Sequence, residues 1–114
     1  MTTRDLAVIV VAAGRGERLH SDKPKAFVEI NGRTILEHAL RPVSALTSLA
    51  QVVIAAPESH IVDASKIADL IFGEAVEFDV VVGGETRQQS ISNALAAVNA
   101  DVVLVHDAAR AFAS

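Results

Sequence analysis

The sequence contains no cysteine. Disulfides, thiolate metal sites and a cysteine nucleophile are excluded together. Aromatic residues make up only 4% of a chain that is 51% apolar. The core must therefore be assembled from Val, Ile, Leu and Ala, and the apolar share argues against disorder. An excess of positive charge is also missing: 10 basic residues face 14 acidic ones, for a formal charge of −4. No global field would draw such a chain to nucleic acid or to an anionic membrane. Long hydrophobic runs are absent as well. The N-terminal MTTRDLAVIVVAAG places an acidic residue before a short apolar stretch that meets charge soon afterwards, the pattern of neither a signal peptide nor a membrane span. The expectation is a cytoplasmic protein, and 114 residues suit one modest domain rather than two separate cores.

Four short apolar runs recur, at residues 6–11 (LAVIVV), 51–56 (QVVIAA), 78–82 (FDVVV) and 102–105 (VVLV). Their β-branched composition predicts strands covered on both faces, hence a parallel sheet. The segments between them carry helical signals. Thr34-Ile35-Leu36-Glu37 is a capping box, with Thr34 as cap and Glu37 able to reach back; Pro42 should kink or stop that helix near Arg41. A further helix is predicted from about Ser59 to Phe72, closed by Gly73. After Gly84, Ile91, Ala94, Leu95 and Val98 follow the spacing of one apolar stripe. FVEI before Asn31-Gly32 predicts a short extra strand and a turn. The sum is β-loop-β-α-β-α-β-α-β, a Rossmann-like, doubly wound, mostly parallel three-layer α/β fold. The chain ends at AFAS directly after the fourth main strand, so residues 1–114 are expected to be one half of a single domain, truncated after that strand.

Ligands of open parallel sheets bind beyond the carboxyl ends of the strands. The first strand runs into AAGRGERLHSDKPK, the third into GGETRQQS and the fourth into HDAAR. Four of the ten basic residues (Arg15, Arg18, Lys23 and Lys25) crowd into positions 15–25, a local positive charge suited to a small anionic ligand. Ala12, Ala13, Gly14 and Gly16 carry little or no side chain, so backbone N–H groups there can approach a phosphate or a flat base. Arg18 and Lys25 could neutralise its oxygens, and Pro24 restricts the direction in which Lys25 leaves the loop.

The dinucleotide fingerprint requires glycine where Leu19 stands, and no Gly-Lys-Ser/Thr of a P-loop is present. An NAD-binding dehydrogenase fragment is accordingly disfavoured. Taken singly, each loop also reads as ordinary turn chemistry. The glycine pair of the first loop suits a plain βα turn, Glu85 or Thr86 suits a helix N-terminus, and Ser90 could bond a carbonyl or a ligand. Asp107 could be a helix N-cap, a partner of Arg110, or a ligand of Mg²⁺, which takes one or two carboxylates plus substrate phosphates. His106 reads as structural.

In this order and at these separations, AAGRGERL, PKAF, GGETRQQS and VHDAAR resemble the N-terminal half of the 2-C-methyl-D-erythritol 4-phosphate cytidylyltransferase family, over residues 8–110. The A-G-x-G-x-R and P-K elements mark the wider sugar-phosphate nucleotidyltransferases; HDAAR narrows the choice. The resemblance implies transfer of CMP from CTP to methylerythritol phosphate, with release of pyrophosphate, in non-mevalonate isoprenoid synthesis. It implies that Ala12, Ala13, Gly14, Gly16, Gly84, Glu85 and Ser90 surround CTP, that Arg18 and Lys25 contact its phosphates as catalytic cations, that Asp107 coordinates Mg²⁺ or another divalent cation, and that Arg110 lies near the acceptor phosphate. It also implies a homodimer for the full-length protein. Val11, Glu85 and Ala111 stand where many members have Pro, Asp and Pro, and none of the three removes a charged catalytic group. Two alternatives remain: a truncated nucleotide-binding module without turnover, and a nucleotidyltransferase for another sugar or polyol phosphate.

Overall fold

The computed structural model describes residues 6–13 and 24–108. Four parallel strands form the main sheet: β1 (Leu6–Val11), β4 (Leu49–Ala56), β5 (Glu77–Val82) and β6 (Val102–Asp107). Their order is β5-β4-β1-β6. A separate hairpin pairs β2 (Glu29–Ile30) with β3 (Arg33–Thr34) around Asn31 and Gly32. Both turn residues have positive φ, 57° and 84°, as a two-residue hairpin requires. Three helices complete the alternation: α1 (Ile35–Val43), α2 (Ile61–Phe72) and α3 (Arg87–Leu95).

The β-branched runs work as two-sided core strands because side chains alternate across the sheet. Val8, Val10, Val52 and Ile54 face α1 and α2, where Leu36, Leu40, Ala64, Ala68 and Phe72 close the larger core. Ile9, Val11 and Val53 point to the opposite face, onto Ala94 of α3. Helices on both faces make the sheet doubly wound, as expected from sequence. The strands at its rims depart from that expectation. Val102, Leu104 and Val105 of β6 remain about half exposed, because the described helices gather over β1, β4 and β5.

Local signals account for most element ends. Thr34 Oγ1 accepts a hydrogen bond from Glu37 N at 3.1 Å, the first half of the capping box. The second half does not form. Glu37 instead accepts from Arg41 Nη2 at 2.7 Å and lies 3.6 Å from Arg33 Nε. Pro42 sits in the last turn rather than kinking the helix. The helix ends at Val43, where Ala45 N and Leu46 N bond Pro42 O and Val43 O in a tightened turn. Gly73, at φ +51°, closes α2. The stripe expected on α3 needs one correction. Ile91, Ala94 and Val98 pack inward, but Leu95 is 47% exposed. The helix stops at Leu95 and the bonds Ala97 N to Ala94 O and Val98 N to Leu95 O turn the chain, so Ala97 packs against this core instead.

Two side chains tie this frame together. His38 Nε2 donates to Ile30 O at 2.9 Å, fixing the hairpin to α1. Gln51 is buried in β4; its Nε2 donates to Ala97 O at 2.7 Å and its Oε1 accepts from Asn99 N at 2.9 Å. Both ends of one amide therefore hold the chain that enters β6. Gln51→Leu strands those two backbone groups and should cost roughly 2 kcal/mol, within the usual range for orphaned buried partners. Denaturant unfolding measures it, and a loss below about 0.5 kcal/mol would mean that water replaces the amide freely.

Candidate functional site

Pairing brings the strand ends to one edge. Val11 is in register with Ala55 on one side and Asp107 on the other, and Ala56 with Val82. β6 runs two residues past its apolar stretch because His106 and Asp107 continue the pairing with Val10 and Val11. The Asp107 backbone is thus held by the sheet itself. At the far side, Gly83 N donates to Ala56 O at 2.8 Å, folding the loop after β5 over the end of β4. Contact reaches β1: a Cβ placed on Gly83 would stand 2.3 Å from Ala13 Cβ and 3.0 Å from Ser90 Oγ. The chain leaving β1, the loop after β5 and the first turn of α3 therefore share one wall.

Between them lies a cavity of about 180 Å³ lined by Val11 and Ala13, by Gly84 through Arg87, and by Ser90 and Asp107. Typical ligand sites measure about 300–1,000 Å³, so this one would hold only part of a nucleotide. A larger cavity of about 350 Å³ opens between the hairpin and α2, against Phe27, His60, Asp63 and Lys66. None of the described site residues singled out in the sequence lines it, and those that line a cavity gather at the smaller one.

The GGETR loop is held by the helix it precedes. Thr86 Oγ1 caps α3 by accepting from Gln89 N at 3.0 Å, and Gln89 Oε1 in turn accepts from Glu85 N at 3.0 Å. Ser90 Oγ accepts from Gly84 N at 3.0 Å. Asn93 Nδ2 donates to Val82 O at 3.0 Å. Such a loop is preorganised: the amides of Gly83, Gly84 and Glu85 are satisfied before any ligand arrives, and Gly84 leaves its part of the cavity wall without a side chain.

Of the residues singled out in the sequence, Ala13, Gly84, Glu85, Ser90 and Asp107 meet around this cavity. Ser90 is nearly fully buried, and its hydroxyl braces the loop. Ala12 is also buried; its N–H donates to Ala55 O at 2.8 Å and its methyl belongs to the larger core, so it anchors the strand end that presents Ala13. Lys25 opens a 3₁₀ turn, Lys25–Phe27, and is partly exposed; it is not in the cavity wall. Gly14, Gly16, Arg18 and Arg110 lie outside the described residues.

Arg87 was missed. Its Nε lies 3.4 Å from Asp107 Oδ2. A signal was available: Arg87 is the first residue of α3, where the helix dipole disfavours a cation.

Asp107 is the one carboxylate that the cavity wall receives from β6, with its side chain 24% exposed. Among the described residues no group of three or more His, Cys, Asp or Glu could hold a metal ion. That donor set does not suit a permanently caged cation. It fits Mg²⁺, which retains water and takes its remaining ligands from substrate phosphates. Among the described residues no helix is long and apolar enough to cross a membrane.

Comparison with known proteins places the chain in a family. A match to the family described as 2-C-methyl-D-erythritol 4-phosphate cytidylyltransferase covers residues 6–114. The chain is 49% identical over 109 residues to a bifunctional enzyme IspD/IspF of Clavibacter michiganensis, covering 93% of this chain and 27% of that protein. It is 41% identical over 107 residues to the 2-C-methyl-D-erythritol 4-phosphate cytidylyltransferase of Streptomyces avermitilis, covering 91% and 43%. The crystal structure of 4-diphosphocytidyl-2C-methyl-D-erythritol synthase from Anaerococcus prevotii superposes with a TM-score of 0.74 at 26% identity, over 96% of this chain and 45% of that one. The chain spans less than half the length of these relatives. On the family match and these identities, it belongs to the 2-C-methyl-D-erythritol 4-phosphate cytidylyltransferase family.

Proposed function

We propose that the protein transfers CMP from CTP to 2-C-methyl-D-erythritol 4-phosphate, releasing pyrophosphate, as a step of non-mevalonate isoprenoid synthesis. The observation that carries the proposal is the convergence of Ala13, Gly84, Ser90 and Asp107 on one cavity at the carboxyl edge of the sheet, in a chain of this family. An oxygen of the acceptor phosphate attacks the α-phosphorus of CTP. The new P–O bond forms as the bond to the bridging oxygen breaks, and pyrophosphate leaves with the electron pair. Such a step needs alignment and charge relief rather than a protein nucleophile.

Each residue has a part in that scheme. The Gly84–Glu85 backbone, braced by Ser90, and the small Ala13 form a wall that a flat pyrimidine can approach closely. The family resemblance assigns Gly14 and Gly16 to the nucleotide, and Lys25 and Arg18 to charge relief on the phosphates. Arg110 is assigned to the acceptor phosphate. Asp107 would hold Mg²⁺, which when bound neutralises phosphate oxygens and stabilises the charge that builds on them. Homodimer formation enters this proposal from the family resemblance alone, and a cytoplasmic setting from the N-terminal pattern of the sequence.

The direct test is pyrophosphate release from CTP and methylerythritol phosphate with Mg²⁺, using the longest natural polypeptide that contains this chain. Rapid release is expected, and much slower release when ribitol phosphate replaces the acceptor. No release would refute the proposal, and equal release would refute the acceptor assignment.

A further inference from the structure

We infer that Arg87 is a resident counter-ion of Asp107, a positioning residue whose guanidinium keeps the carboxylate facing the cavity and yields it to the divalent cation that arrives with the triphosphate. The inference rests on the reading of Asp107 as a metal ligand. It begins from a local contradiction. Arg87 is the first residue of a nine-residue helix whose first turn holds no acidic residue. A cation there faces the positive end of the dipole. A residue disfavoured by its own element and placed in the wall of a cavity marks a demand from the site rather than from the fold.

The ion pair supplies that demand. Arg87 Nε stands 3.4 Å from Asp107 Oδ2, and the two side chains are 54% and 24% exposed. The carboxylate is the fixed member, since its backbone is held in register with Val11. The guanidinium is the movable one, on a long stem facing solvent. A pair so exposed is weak and screened by salt, so opening it costs little. Closed, it lowers the charge that Asp107 presents to an incoming polyanion. Open, it releases a five-donor guanidinium at the same wall, with geometry suited to phosphate oxygens.

Titration with Mn²⁺ alone, read by water-proton relaxation, tests this without nucleotide or turnover. Arg87→Ala should tighten Mn²⁺ binding by about threefold to tenfold, the scale of one partly exposed charge interaction removed. Arg87→Lys retains the charge and should stay near the parent value, whereas Asp107→Asn should abolish the binding. Melting temperatures establish that each variant is folded. A role confined to tying α3 to β6 would lower stability and leave Mn²⁺ affinity where it was. Unchanged affinity in Arg87→Ala, tightening in Arg87→Lys equal to that in Arg87→Ala, or persistent binding in Asp107→Asn would each overturn the inference. CTP calorimetry on the same samples keeps the two readings apart: absence of CTP binding would remove the cytidylyltransferase proposal, while the Mn²⁺ titration still decides the role of Arg87.

Discussion

Lys25→Ala should slow CMP transfer by about 10²- to 10³-fold, the loss seen when a preorganised donor to developing charge is removed. Preorganisation is the essential word, because a lysine on a loose loop would lose much of its effect in ordering its own stem. Lys25 follows Pro24 at φ −56° and opens a 3₁₀ turn closed by Phe27 N to Pro24 O at 2.9 Å and Val28 N to Lys25 O at 3.2 Å. The next two residues, Ala26 and Phe27, are buried in the larger core, and Phe27 stacks on His60 with ring centroids 4.7 Å apart. The backbone beneath the ammonium is therefore anchored twice. Lys25 forms no ion pair with another described residue. The loss should appear in kcat more than in KM, with Lys25→Arg recovering part of it and the melting temperature unchanged. A fall of less than about tenfold would show that charge relief comes from elsewhere.

The fold was legible because its signals are local and agree with one another. β-Branched runs, a capping threonine, a closing Gly73 and an Asn31-Gly32 turn each specify one element, and their alternation specifies the class. The identity of the site loops was legible for a different reason: strand ends of a parallel sheet meet at one edge, so Gly84 and Asp107 could be placed together without knowing any distance. Side-chain pairing was not legible. Glu37 had a local partner in the capping box and took Arg41 instead, a choice between two contacts of similar strength. Arg87 and Asp107 are twenty positions apart and meet only because β6 lies beside β1 while the loop after β5 crosses β4. The half-exposed face of β6 was legible in part: its β-branched run suggested cover on both faces, but no helical segment follows it in the sequence to supply that cover.

The assembly of the site depends on one close approach, and Gly83→Ala should break it. The added methyl would stand 2.3 Å from Ala13 Cβ and 3.0 Å from Ser90 Oγ, with Ala56 O at 3.7 Å behind it. Neither near neighbour can step aside. Ala13 Cβ is rigidly attached to the chain leaving β1, and Ser90 is buried in α3 with its hydroxyl already bonded to Gly84 N. The loop must lift, and lifting it strains the Gly83 N to Ala56 O bond and separates Gly84 from Ala13. Overpacking of this kind costs about 1–3 kcal/mol, and the displaced wall should weaken CTP binding by at least about tenfold, the equivalent of roughly 1.4 kcal/mol. Asn93→Ala is the control, on the same helix but outside the cavity wall. It removes the 3.0 Å bond that Asn93 Nδ2 donates to Val82 O and adds no atom to the loop. A loss of about 1 kcal/mol of stability is expected there, with CTP affinity changed by less than about threefold, under 0.7 kcal/mol. Calorimetric titration of both variants with CTP measures the difference. Equal losses would mean that the loop, not its contact with β1, sets the site, whereas a selective loss in Gly83→Ala fixes the packing of three strand ends as the determinant of nucleotide binding.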